Sequence, residues 1–206
     1  MFLARLGDQV RFSEVHGTGS KTICYTLEHD LLDTAFGTVP WDLFKQIHDR
    51  LVARIASAQS YQITCPLGTQ LRGRVKATAK QSANTGIAEF TVKPFPVLIY
   101  PPLQCTELNG QLVLDRYLAS TSINDIENSI LKLEQPVTAH IEESRIVGFD
   151  GDSNTVASVE AQYQRVGKLT DGDPYTVNSW HTGMYPKTFY RRPIDDDVQR
   201  WSDLAF

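Results

Sequence analysis

No segment of this chain approaches the ~18 consecutive apolar residues a helix needs to cross a bilayer, so no membrane partner is expected. Basic residues are in no excess: 20 Lys and Arg against 24 Asp and Glu leave a formal charge of −4, which argues against nucleic acid, whose binders carry a basic face. Met1-Phe2-Leu3-Ala4-Arg5-Leu6 has neither a leading positive region nor a long apolar core. No signal peptide is read there, and a cytoplasmic location is expected. Cysteine is scarce and odd in number, at 24, 65 and 105, which excludes a CxxC metal knuckle and a dense disulfide framework. The three read as buried reduced thiols. Five histidines, at 16, 29, 48, 140 and 181, form no HxH or HExxH pair. His48 reads as the polar side of a helix and His140 as a strand residue. Gly17-Thr18-Gly19-Ser20-Lys21 fails the spacing of a phosphate loop, and no Gly-x-Ser-x-Gly nucleophile elbow occurs. Internal repeats, low-complexity tracts and linkers are also absent.

What remains is the composition of an ordinary folded protein, 41% hydrophobic and 21% charged. A chain of this size removes roughly 70% of its unfolded surface from water, enough for one sizeable core. Residues 1–40 read as short strands and turns, with His16 to Ser20 a loop between Val10–Phe12 and Thr22–Leu27. Leu43, Phe44, Ile47, Leu51, Val52 and Ile55 recur at helical spacing after Pro40, giving an amphipathic helix from Trp41 to Ala58. The period then falls to two. Tyr61–Thr64, Gln70–Val75, Ile87–Val92 and Val97–Tyr100 are strand candidates. Asn109-Gly110 reads as a hairpin turn at the centre of Leu108–Leu112. A second hairpin joins Val137–Glu142 to Arg145–Phe149, and Asp or Ser within Asp150-Gly151-Asp152-Ser153 caps a helix carrying Val156, Ala157, Val159, Ala161, Tyr163 and Val166. The expected class is α+β: a shortened strand-and-helix region, 1–57, packed on a β-rich core, 58–206, with an acidic tail. Asp195-Asp196-Asp197 in that tail reads as a solvated turn or helix start, because adjacent carboxylates diverge and lack EF-hand spacing.

Five segments carry a family resemblance in one order. Tyr61-Gln62-Ile63-Thr64-Cys65-Pro66-Leu67-Gly68-Thr69-Gln70-Leu71 resembles the Ile-Thr-x-Pro-x-Gly-Thr-Asp-Leu segment of the thermophilic-type metallo-aminopeptidases and the related 2,5-dihydroxypyridine 5,6-dioxygenases. Phe95-Pro96 to Pro102 is similar to their Phe-Pro-Gly-Gly-Glu strand, and Asn109-Gly110 to Asp115 to their Asn-Gly-x-Leu hairpin. Ser144-Arg145-Ile146-Val147 with Asp150-Gly151 is similar to their Gly-Arg-Ile-Val turn. Trp180 to Pro186, within Asn178-Ser179-Trp180-His181-Thr182-Gly183-Met184-Tyr185-Pro186, resembles their Gly-x-Asn-Pro ligand loop. The resemblance covers about residues 55–190 and implies the family's C-terminal core. Where these enzymes place a metal-binding Glu, this chain has Val97-Leu98-Ile99, and aliphatic side chains do not ligate a cation. The next ligand position falls near Ser179 or His181, and the family's last His and Asp ligands have no counterpart before Phe206. His181 is the one surviving candidate, and it reads as a pocket residue rather than a ligand. No metal and no other cofactor is expected.

If the family geometry holds, Phe95, Leu98, Ile99 and Tyr100 from one strand face Trp180, His181, Met184 and Tyr185 from the loop. Trp, Tyr and Met are the residue types that anchor apolar ligand groups in a concave site; the bland alternative is that these side chains fill the space the metal left. The chain also resembles the truncated, metal-free relatives that assist biosynthesis of ribosomally made peptides such as the crocagins. That resemblance implies a non-catalytic accessory protein that holds a precursor peptide for modifying enzymes. Two rivals stand beside it: a metal-dependent enzyme using His181, whether an iron ring-cleaving dioxygenase or a residual aminopeptidase, and an interaction protein whose core serves oligomerisation. A homodimer fits every one of these readings.

Overall fold

A computed structural model describes residues 2–4, 21–25, 40–76, 90–94, 103–119, 130–180 and 192–198. In chain order the elements are β1 (Phe2–Ala4), β2 (Lys21–Tyr25), α1 (Trp41–Ser57), β3 (Ser60–Thr64), β4 (Gln70–Arg74), β5 (Phe90–Pro94), β6 (Leu103–Gln104) and β7 (Thr106–Leu114). There follow β8 (Tyr117–Ala119), β9 (Ile130–Lys132), β10 (Val137–Glu142), β11 (Arg145–Gly151), α2 (Ser153–Thr170), β12 (Ser179–Trp180) and a 3-10 turn at Ile194–Asp196. The class is α+β, dominated by strands. Two compact units divide the chain discontinuously: residues 1–54, 80–102 and 181–206 form one, and 55–79 with 103–180 the other.

In the first unit, β1, β2 and β5 form a sheet in that order, and both pairings are parallel. Parallel partners need a crossover connection, so β5 joins a strand more than sixty residues earlier instead of closing a local hairpin. The helix expected after Pro40 is present as α1. The acidic triplet falls in the 3-10 turn and just beyond it, all three aspartates exposed. Val10–Phe12, Ile87–Glu89 and Val97–Tyr100 lie outside the described residues.

The second unit is built on a five-stranded antiparallel sheet, in the order β11-β10-β7-β4-β3. Period-two alternation puts Val137, Ala139 and Ile141 of β10 inside, with Thr138, His140 and Glu142 on the opposite face. Leu71, Leu108, Ala139, Ile141 and Ile146 form one buried cluster, and Leu133, Val137 and Val159 a second. Phe149 and Tyr163 pack against both, their rings 5.7 Å apart.

Helix α2 starts where Asp152 accepts from the backbone N–H groups of Asn154 and Thr155 and from the Thr155 hydroxyl. Its buried stripe is Thr155, Val159 and Gly167, with Tyr163 half-buried between them. Ala157 and Ala161, named among the apolar residues this helix carries, are exposed. Each lies two residues from Val159, about 200° around the helix at 3.6 residues per turn. The N–H bonds at the cap hold the Asp152 carboxyl below the usual range. A carboxylate depressed in the folded state contributes stability that is present above its unfolded pKa and lost as pH falls through the folded one. Asp152→Asn is therefore expected to flatten the acid limb of a stability–pH profile below about pH 4, while Asp152→Ala lowers stability at neutral pH as well. Urea titrations of both variants across pH check this.

The hairpin between β10 and β11 forms as expected, its turn made by Glu143 and Ser144 at φ 46° and 65°. The expected hairpin at Asn109-Gly110 does not form. Strand β7 runs straight through both residues as the central strand of the sheet, with Gly110 paired to Leu71 on one side and Ile141 on the other. The irregularity in β7 lies at Glu107, at φ 50°, where the register against β4 shifts between Arg72 and Arg74. The Asn109 carboxamide that could favour a turn is used otherwise: its Oδ1 accepts from the Glu143 N–H, and its amide donates to the Glu143 carboxylate and, within β7, to the Glu107 carbonyl.

Candidate functional site

Of the eight expected pocket residues, Trp180 is described; Phe95, Leu98, Ile99, Tyr100, His181, Met184 and Tyr185 lie outside the described residues. Trp180 ends β12, which pairs antiparallel with β6 through Trp180 to Leu103 and Ser179 to Gln104. Just before it, the 171–178 segment is tied to the β10–β11 hairpin. Arg145 forms an ion pair with Asp173 and lies 6.0 Å from the Tyr175 ring centroid, and backbone bonds link Ile146 to Tyr175 and Val177 to Ser144. Arg145 and the Tyr175 and Thr176 donors hold the Asp173 carboxyl down at about 2.

The Trp180 ring packs on Tyr61 of β3, centroids 5.1 Å apart and planes at 53°. Tyr61 in turn lies over Gly73 of β4. A β-carbon there would sit 2.4 Å from the Tyr61 hydroxyl, so the absence of a side chain at 73 is what admits the phenol. Half-buried Cys105 completes the group. Its N–H donates to the Asn178 carbonyl at 2.9 Å, and its own carbonyl accepts from the Ser144 hydroxyl.

Three polar atoms in this region are buried without a hydrogen-bond partner among the described residues: Tyr61 Oη, Trp180 Nε1 and Thr106 Oγ1. The Cys105 thiol and the Trp180 N–H lie near enough to the Tyr61 hydroxyl to bias its ionisation, yet neither approach has hydrogen-bond geometry. Burial, then the Cys105 thiol, pushes Tyr61 up to about 12. Burial also raises the Cys105 thiol. Both groups are held in their neutral, protonated forms, so the cluster offers O–H, N–H and S–H donors in an apolar setting. Buried donors without partners are costly, and native structures resolve them with water or a ligand. Trp180 is identified by the resemblance of its loop together with its residue type; Tyr61 and Cys105 are not singled out as site residues, because their meeting depends on strand pairing across more than forty residues.

Of the cysteines expected to be buried, Cys105 is half-buried, and the Cys24 side chain lies outside the described residues. Cys65 is exposed, because it starts the Cys65–Gly68 turn that joins β3 to β4. The Thr69 N–H and hydroxyl, with the Leu67 and Gly68 N–H groups, draw its thiol below the ordinary range. Among the described residues no three His, Cys, Asp or Glu side chains converge as a metal-binding group.

No family model and no curated protein matches the chain. Among solved structures, that of 2,5-dihydroxypyridine dioxygenase from Pseudomonas putida KT2440 is similar, with a TM-score of 0.55 and 16% identity over 88% of this chain. The match spans 49% of that protein, so the chain extends over about half its length. At this identity the likeness is one of fold, and it makes the dioxygenase a distant structural relative.

Proposed function

We propose that this chain is a non-catalytic accessory protein that holds a peptide, in the role implied by its resemblance to the truncated relatives acting in biosynthesis of ribosomally made peptides. The observation that carries the reading is the Tyr61–Trp180 pair, a half-buried aromatic surface whose hydroxyl and indole N–H have no hydrogen-bond partner among the described residues. Such a surface fits a peptide: the half-buried rings accept an apolar side chain, and the two covered donors are satisfied where binding uncovers them to backbone carbonyl oxygens, which are obligate acceptors. The aliphatic Val97-Leu98-Ile99, in place of the metal-binding Glu of the resembled enzymes, also favours holding over cleavage. A donor set without that carboxylate does not fit the family's metal, and no step is assigned to one.

The rival is a metal-dependent enzyme using His181, and the fold of the dioxygenase speaks for it. One experiment separates the two. Protein purified without chelator is assayed for metal by mass spectrometry and titrated calorimetrically with short peptides bearing apolar side chains. The expected result is saturable peptide binding that Trp180→Ala weakens by more than about 1 kcal/mol, with the fold retained. One iron or zinc per chain with chelator-sensitive turnover supports the enzyme instead, and binding indifferent to Trp180→Ala moves the peptide elsewhere.

A further inference from the structure

The polar face of the five-stranded sheet carries a concavity of its own. Between β4, β7 and β10 lies an open concavity of about 410 Å³, within the size range of small-ligand sites. Its walls include Gln70, Asn109, Gln111, His140 and Glu142. Strand register aligns three of them in one row, Gln70 opposite Gln111 and Gln111 opposite His140. The row continues to Gly148 of β11, where a β-carbon would meet nothing within 4 Å.

The hydrogen bonds already made fix what this surface has left to offer. His140 Nε2 lies 2.7 Å from Asp150 Oδ2; a carboxylate only accepts, so Nε2 carries a proton, and in the imidazole form of the ring Nδ1 is the acceptor. The Gln111 amide nitrogen donates to the Gly68 carbonyl at 2.9 Å, and its Oε1 has no partner among the described residues. Asn109 is fully engaged with Glu107 and Glu143. Glu142 is exposed and has no ion-pair or hydrogen-bond partner among the described residues. Its cross-strand neighbour Arg145 does not neutralise it, being paired with Asp173. The residual capacity is therefore mostly acceptor, with one full negative charge at the rim.

We propose that this concavity binds a guanidinium or ammonium group, as in arginine or lysine side chains or small amines. Such cations are donor-only, and a guanidinium presents five N–H groups in a planar fork that suits several fixed acceptors. Arg72, on the same face of β4, opposes the bound charge from beyond Asn109. The site is separate from the Tyr61–Trp180 surface and stands whether or not that surface holds a peptide.

The test is an amide-resolved NMR titration of the whole chain with N-acetyl-arginine amide, with agmatine, and with the neutral isostere N-acetyl-citrulline amide. Saturable shifts at Gln111, His140 and Glu142 are expected for the two cations, and none for citrulline. Preference for the acetylated amide over agmatine would mark a peptide side chain as the ligand, and the reverse a free amine. Glu142→Gln should weaken binding about tenfold by removing a charge-assisted bond, and Arg72→Gln should strengthen it. Neither side chain is buried, so spectra elsewhere should be unchanged. Equal binding of citrulline, no shift at these residues, or binding indifferent to Glu142→Gln overturns the proposal.

Discussion

Gly110→Ala is expected to cost on the order of 4 kcal/mol or more of unfolding free energy, or to prevent folding of the sheet unit outright. Two independent effects add. Gly110 has φ 129°, a conformation that L side chains rarely adopt. A β-carbon built there would also lie 2.1 Å from the Gln70 carbonyl oxygen and 3.2 Å from the Leu71 α-carbon. Both are backbone atoms of the neighbouring strand, which cannot rotate away as a side chain would. Relief requires β4 to separate from β7, and β7 is the strand to which both halves of the sheet are hydrogen-bonded. Urea denaturation monitored by circular dichroism measures the loss. A cost below about 1 kcal/mol, the ordinary size of a point-mutant effect, would mean that the two strands are not in this register.

Gly110 also shows where local reading ends. Asn-Gly flanked by alternating apolar residues is a strong short-range hairpin signal, yet here the same dipeptide serves the interior of a sheet. The glycine permits close approach of β4, and the asparagine braces the β10–β11 turn. Nothing within the Leu108–Leu112 segment distinguishes the two uses; the deciding atoms belong to Gln70 and Glu143. By contrast α1, β3, β4, the β10–β11 hairpin and the cap of α2 were legible, since each rests on local periodicity or on a cap or turn residue within a few positions. Of the candidate site, Trp180 was legible as an amphipathic anchor. Tyr61, Gly73 and Cys105 were not, because a ring, the gap beneath it and the thiol beside it are brought together by pairing β3 with β4 and β12 with β6. The row Gln70–Gln111–His140 was hidden for the same reason. Glutamine carries no periodic signal of its own, and only register makes three scattered polar residues into one surface.

The largest packing effect is expected at Leu108. It is 2% exposed and sits on the inner face of β7, in the cluster with Leu71, Ala139, Ile141 and Ile146. Its backbone is fixed on both sides: the Leu108 N–H donates to the Ser144 hydroxyl at 3.0 Å, and its carbonyl accepts from the Ser144 N–H at 2.8 Å. With the main chain anchored in a central strand, the surroundings have little freedom to collapse into the space a truncation leaves. Leu108→Ala is therefore expected toward the upper part of the about 2–5 kcal/mol range for buried leucine truncations. At a urea m-value of about 2 kcal/mol/M, that lowers the midpoint by roughly 1.8 to 2.5 molar. Ser144→Ala provides the comparison. It removes the hydroxyl bridge to Leu108 and Cys105 without opening a large cavity, so a cost of about 1–3 kcal/mol is expected. A Leu108→Ala loss smaller than that of Ser144→Ala would place the rigidity of this strand in its hydrogen bonds and not in its apolar packing.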